Sequence, residues 1–281
     1  MGIIYRSLDG RIYGMKTGEI RCKSILGNSG IGGMDYAVNP YLGCGHACVY
    51  CYARFMRRMG HPGERWGSFV DAKVNSVEVL REEATKKPVG RVLISSVTDA
   101  YQPMEKKYNL TRDCLGVLLD HDFSVDILTK SDLVLRDFDI FQRFDDVEIG
   151  LTITSLDDSV RQVFEPGASP IRSRLEALKT FSDVGIRTYA FLGPMLPYLS
   201  DDHLGELLDV LADRVGRLIV DRLNIKCGNM PDIRKALEGG YPDLAPIFEA
   251  ALKQNSEYYQ GLRHRISELC HVRSIPVDIL F

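Results

Sequence analysis

The chain has 281 residues, 45% of them hydrophobic and 26% charged, which is the balance of an ordinary globular protein with room for a sizeable core. A formal net charge of −3 excludes a global basic field aimed at nucleic acid or an anionic membrane. No apolar run is long enough to span a bilayer, and the opening Met1-Gly2-Ile3-Ile4-Tyr5-Arg6 lacks a signal-peptide core, so a cytoplasmic location with no membrane partner is expected.

In chain order, residues 1–37 are glycine-rich and irregular and read as an N-terminal extension. A first strand is predicted over 38–42, running into a cysteine-bearing loop and then a helix over 49–59. The apolar, β-branched run 92–97 predicts a buried strand, followed by a helix over 110–119. Strand 124–129 precedes a helix over 133–144, and strand 147–153 precedes a helix over 173–182. Strands over 187–192 and 218–225 complete the set, with helices over 203–213 and 244–253. Strands alternating with helices predict an α/β fold with a parallel sheet wound right-handed. Six such units make a partial parallel (β/α)6 barrel over 38–230, on which a C-terminal extension, 231–281, packs. Active sites of parallel barrels lie at the C-terminal ends of the strands, where the cysteine loop falls.

Seven cysteines in a reducing compartment read as metal ligands, reactive groups or core residues. Three of them, Cys44, Cys48 and Cys51, lie in Asn39-Pro40-Tyr41-Leu42-Gly43-Cys44-Gly45-His46-Ala47-Cys48-Val49-Tyr50-Cys51-Tyr52-Ala53-Arg54. Three thiolates are one too few for a tetrahedral zinc site or a fully ligated iron–sulfur cube, and a cluster so held keeps one iron open. Zinc would need a fourth ligand; His46 falls inside the loop at no common zinc-knuckle spacing, and His61 completes only a poor pattern. Arg54, Arg57, Arg58, Arg65 and Lys73 follow the motif, as a solvated helix face or a local basic groove.

The spacing Cys-x3-Cys-x2-Cys, with an aromatic before the last cysteine, resembles the signature of the radical S-adenosylmethionine enzymes. That resemblance implies a [4Fe–4S] cluster on Cys44, Cys48 and Cys51 with S-adenosylmethionine on its open iron. It also implies reductive cleavage to a 5′-deoxyadenosyl radical, oxygen sensitivity, and a low-potential electron donor such as ferredoxin or flavodoxin. Further stretches are similar to the spore photoproduct lyase-like family, often labelled "DNA repair photolyases". They are Lys23-Ser24-Ile25-Leu26, Thr98-Asp99-Ala100-Tyr101-Gln102-Pro103-Met104-Glu105, Leu110-Thr111-Arg112, Thr129-Lys130-Ser131, Arg136-Asp137 and Phe164-Glu165-Pro166-Gly167-Ala168.

By this resemblance Thr98 contacts the amino acid end of S-adenosylmethionine, and Lys130 and Thr154 hold its carboxylate. Tyr50 covers the adenine region, and Gly193 lets backbone approach the adenosyl group. Helix capping or turn formation is the structural alternative for Thr98 and Thr154, surface exposure for Lys130, and core packing for Tyr50. Glu165 and Arg174 read as a structural ion pair. The family's repair enzymes are thought to quench a substrate radical with a cysteine where this chain has Ser96, whose O–H bond is too strong for that task. Tyr50 and Tyr52 retain part of a radical relay, and Cys227, ending the sixth strand, is a substitute hydrogen donor. Alternatively, Cys227 joins Cys22 and Cys270 around a second cluster, which would imply sulfur insertion. The expectation is thus a radical enzyme, lyase or sulfurtransferase, acting on an unidentified substrate. Lesion repair with a nucleic-acid partner is the less favoured reading, and a non-catalytic iron–sulfur or zinc nucleic-acid-binding module is the rival from another class.

Overall fold

Val92, Ile94, Val125, Ile127, Ile149, Leu151, Ala190, Leu192, Leu218 and Val220 alternate along five strands and are all buried in one core. A computed structural model describes residues 4–6, 12–253 and 256–281, and in it these strands belong to an eight-stranded sheet. Its strands neighbour one another in chain order: β1 (Leu26–Asn28), β2 (Tyr36–Val38), β3 (Arg91–Ile94), β4 (Ser124–Thr129), β5 (Val147–Thr152), β6 (Arg187–Met195), β7 (Arg217–Arg222) and β8 (Val277–Ile279). Only β1 is antiparallel to its neighbour; β2 to β8 are parallel. The result is a partial parallel barrel of the predicted class, with one strand added at each edge of the six that were expected.

The alternating apolar row packs outward against helices α1 (Ser76–Ala84), α2 (Leu110–Asp120), α3 (Ile171–Asp183), α4 (Leu204–Leu211) and α6 (Tyr258–Val272). Helix α5 (Met230–Gly240) instead joins a second core with Cys48, Tyr50, Phe164 and Leu223 beside the cysteine loop. Because strand side chains alternate, Asp126, Glu148, Gly150, Thr152, Tyr189 and Phe191 form the opposite row and face the barrel interior. Helices α1, α5 and α6 and the two edge strands stand where the sequence reading placed no element. Among the described residues no helix is long and apolar enough to cross a membrane.

Three predicted elements differ in instructive ways. The first strand, 38–42, is split: Val38 ends β2, while Tyr41–Leu42 pairs with Phe69–Lys73 in a separate three-stranded sheet. The break falls at Asn39-Pro40, where Pro40 has no N–H to give and Asn39 turns its amide to Val97 N and Ser96 Oγ. The helix predicted over 49–59 is a 3-10 helix confined to Tyr52–Arg58, because the carbonyls of Val49 and Cys51 are taken by the Arg54 guanidinium. The helix predicted over 133–144 is a 3-10 helix, Asp132–Asp137, capped by Ser131 and followed by a single α turn, Phe138–Phe141. There the Asp137 carboxylate is drawn to Tyr101, Arg112 and Arg136.

Candidate active site

The cysteine loop leaves the small sheet through Gly43, whose φ of 84° is open to glycine and whose Cβ would stand 2.4 Å from Phe69 O. The Thr98 hydroxyl donates to Gly43 O at 2.7 Å and accepts from Gln102 Nε2 at 2.8 Å. Gln102 is fully buried and also accepts from Gly45 N–H at 2.8 Å. Thr98 therefore faces the cysteine loop with its hydroxyl already bonded to that loop.

Cys44 and Cys48 are buried and Cys51 is half-buried. Burial pushes the thiols of Cys44 and Cys51 up to about 12 and that of Cys48 up as well, and each is raised further by another of the three. Such thiols ionise when a cationic group binds them. Among the described residues no group of three or more His, Cys, Asp or Glu side chains is arranged to hold a metal ion. Three thiol donors are one short of a closed zinc site and leave one iron of a cube open, so the chemistry of the donor set fits a cluster. His61 is also withdrawn: its Nε2 lies 2.7 Å from Asp71 Oδ2 and its ring stacks on Phe69 at 4.0 Å.

Beside the loop, the strand ends supply fixed charge. Lys130 follows β4 and projects with the interior row, its Nζ 3.4 Å from Thr152 Oγ1 and 5.9 Å from the Tyr50 ring centre. Burial opposes its charge, but Cys48, Glu165 and Asp99 outweigh burial and raise its pKa. Glu165 and Arg174 are both fully buried and meet at 2.5 Å, the structural pair expected. Glu165 Oε1 also accepts from the Tyr50 hydroxyl and, at 3.2 Å, from Thr154 Oγ1. Although burial would raise the Glu165 pKa, Arg174 and Lys130 hold it down. Asp99 accepts from Thr129 Oγ1 at 2.6 Å and Lys130 N at 2.8 Å, and its Oδ2 lies 3.2 Å from His46 Nδ1. Burial is overcome there too, chiefly by His46, so Asp99 stays ionised well below the usual carboxylate range.

The remaining candidates divide. Cys227 lies against the motif, its Sγ 3.8 Å from Cys51 O and 3.7 Å from Asn224 O. Tyr52 is 49% exposed and donates to Ser96 O, so it stands at the open face of the site. Gly193 sits beside the Phe191 ring, which a Cβ there would meet at 2.3 Å; that ring occupies the space next to it. The grouping of Cys22 and Cys270 with Cys227 does not form. The backbone of Cys22 is bonded to Asn75 ahead of α1, and Cys270 is buried on α6 in the main core. The basic run likewise splits, since Arg54 is only 6% exposed and Lys73 turns inward to Asn39 O, whereas Arg58 is exposed. Arg54, Gln102 and Asn229 are the residues that sequence reasoning missed. Arg54 and Gln102 stood as polar residues within matched stretches, whereas Asn229 stood in none.

A profile described as the radical SAM superfamily matches residues 38–211, well over half of the chain. The chain belongs to the radical SAM superfamily. That membership brings an iron–sulfur cluster and S-adenosylmethionine as cofactors. The chain is similar to an uncharacterised protein of Methanocaldococcus jannaschii, at 42% identity over 183 residues, 65% of this chain and 69% of that protein. It is also similar to an uncharacterised protein of Mycobacterium tuberculosis, at 30% identity over 211 residues, 71% of this chain and 62% of that protein. In fold it resembles a spore photoproduct lyase variant solved with bound AdoMet and dinucleoside spore photoproduct, with a TM-score of 0.64 at 15% identity over 94% of this chain and 81% of the other. SuiB of Streptococcus suis, bound to S-adenosylmethionine, gives a TM-score of 0.55 at 12% identity over 87% of this chain and 50% of the other.

Proposed function

We propose that Cys44, Cys48 and Cys51 hold a [4Fe–4S] cluster and that this superfamily member abstracts hydrogen from a substrate admitted at the open face beside Tyr52. When bound, the cluster supplies the electron, taken from a ferredoxin- or flavodoxin-type donor, that cleaves S-adenosylmethionine to methionine and a 5′-deoxyadenosyl radical. The observation that carries the reading is Lys130, an interior cation at the strand ends whose Nζ lies 3.4 Å from Thr152 Oγ1 and 5.9 Å from the centre of the Tyr50 ring. Its ammonium binds the methionyl carboxylate, with Thr154 turning its hydroxyl from Glu165 to the same group. Thr98 acts on the amino acid end through the loop it anchors. Tyr50 and the Phe191 ring beside Gly193 wall the adenosine, and Cys227 or Tyr52 returns a hydrogen atom to the product radical. In this reading residues 38–230 carry the radical chemistry.

The experiment is anaerobic reconstitution followed by dithionite. Wild type releases 5′-deoxyadenosine and methionine, and Cys48→Ala releases neither; retained release in the variant would overturn the assignment. A second reading, cleavage of a DNA photolesion, is favoured by the likeness in fold to spore photoproduct lyase and by a tyrosine and a thiol standing beside the motif. Incubation with ultraviolet-irradiated DNA tests it, and unchanged lesion levels under conditions that release 5′-deoxyadenosine dismiss it.

A further inference from the structure

The polar backbone groups of the cysteine loop are held from several sides by residues that are not cluster ligands. Val49 N–H donates to Phe164 O at 3.0 Å, and Gly167 N–H donates to His46 O at 3.0 Å. Gly167 permits this approach because it has no side chain; a Cβ there would stand 2.2 Å from Gly45 O and 2.9 Å from His46 Cα. Ser169 N–H donates to Lys130 O at 3.0 Å, so the same turn fixes the strand end that carries the interior cation.

The opposite flank is held by charge and amide. Arg54 donates from Nη2 to Val49 O at 2.8 Å, from Nε to Cys51 O at 3.2 Å, and from Nη1 to Gly228 O at 3.2 Å and Asp232 Oδ2 at 2.8 Å. Asn229 Nδ2 donates to Tyr50 O at 2.7 Å and Asn224 O at 2.8 Å. The carbonyls of three consecutive residues, 49 to 51, are thus all occupied, and the segment carrying Cys227 is joined to them.

We propose that the Phe164–Ser169 turn and the Arg54–Asn229 clasp preset the cysteine loop in its cluster-binding shape before any cluster arrives. This rests on the reading of the three cysteines as cluster ligands. Ordering the loop residues on binding would otherwise cost conformational entropy, subtracted from cluster affinity. Gly167 and Arg54 are positioning residues here. A lysine at 54 keeps the charge but cannot fork to the two carbonyls on its own side of the clasp.

The test is amide hydrogen exchange on the cluster-free protein, together with iron uptake. In cluster-free wild type the amides of Gly45, Val49 and Gly167 should exchange as slowly as those of β4 and β5. Exchange there at unfolded-peptide rates would overturn the proposal without any variant. In Gly167→Ala and Arg54→Lys those amides should exchange roughly tenfold faster or more while strand amides keep wild-type rates, and iron per chain after reconstitution should fall. Gly116→Ala, where a Cβ meets nothing within 4 Å, should change neither. Loop exchange and iron uptake unaltered in both variants would also overturn it. If wild type takes up no iron, the cluster reading fails, yet the exchange data still decide whether the loop is preset.

Discussion

The two ends of the barrel interior both bury charge, but they spend it differently. At the C-terminal ends, Glu165 accepts from the Tyr50 hydroxyl and Asp99 meets His46, both groups of the cysteine loop, while Arg174 pairs with Glu165 and Lys130 stands over the Tyr50 ring. Nearer the N-terminal ends, Asp126, Glu148, Tyr189 and Arg217 bond to one another: Tyr189 Oη donates to Asp126 Oδ1 at 2.8 Å, and Arg217 grips Glu148 with two bonds of 2.9 Å while lying over the Tyr189 ring. Both ends contain strongly shifted groups, so a shifted pKa alone does not mark the active site. What separates them is the destination of the charges, which is a ligand loop at one end and one another at the other.

The largest expected effect is at the loop end. Arg174→Met removes the partner of a fully buried Glu165 and should destabilise the fold by about 3–5 kcal/mol in chemical denaturation. Adding Glu165→Gln to that variant should restore most of the loss, since the uncompensated charge is gone. A double variant no more stable than the single one would show that the pair is not coupled. Next, Lys130→Met should raise the KM for S-adenosylmethionine about tenfold to a hundredfold, with a smaller change in kcat. An unmoved KM would remove Lys130 from the cofactor site and weaken the contrast between the two ends.

The smallest effect is expected at the N-terminal end. Burial, with Glu148 adding to it, raises Asp126 to about 6, against an offsetting hydrogen bond from Tyr189 and the charges of Arg91 and Arg217. An unfolded aspartate titrates near about 4. The folded state therefore binds this proton more tightly, and its contribution is complete below pH 4 and lost as pH rises through about 6. Against wild type, Asp126→Asn should gain about 1–3 kcal/mol between pH 4 and pH 8, with no change in cofactor KM. Parallel pH–stability curves for the two proteins would refute this.

The sequence was most informative where function depends on local spacing. Cys44, Cys48 and Cys51 lie within one loop, and Lys130 and Thr154 follow runs whose apolar alternation already placed two strand ends. It was least informative where one residue acts on a distant one. Arg54 sits among arginines that read equally as a solvated face, yet its other anchors are Gly228 and Asp232, 174 and 178 positions away. Asn229 looked like an ordinary loop residue because Tyr50 is 179 positions away in the chain. Thr98 was visible as a strand-end hydroxyl, but the bond it makes to Gly43 O depends on how the loop folds back. The 3-10 geometry at Tyr52–Arg58 was hidden for the same reason, since the Arg54 side chain claims carbonyls that an α-helix would have used.

The most direct test of the central claim is electron paramagnetic resonance of the reconstituted, dithionite-reduced protein before and after S-adenosylmethionine is added. A reduced four-iron signal whose g-values shift on addition, in wild type and not in a protein lacking Cys48, is the result predicted by a cluster with an open iron at Cys44, Cys48 and Cys51. A signal that S-adenosylmethionine leaves unchanged, or stoichiometric zinc in place of iron, would contradict it.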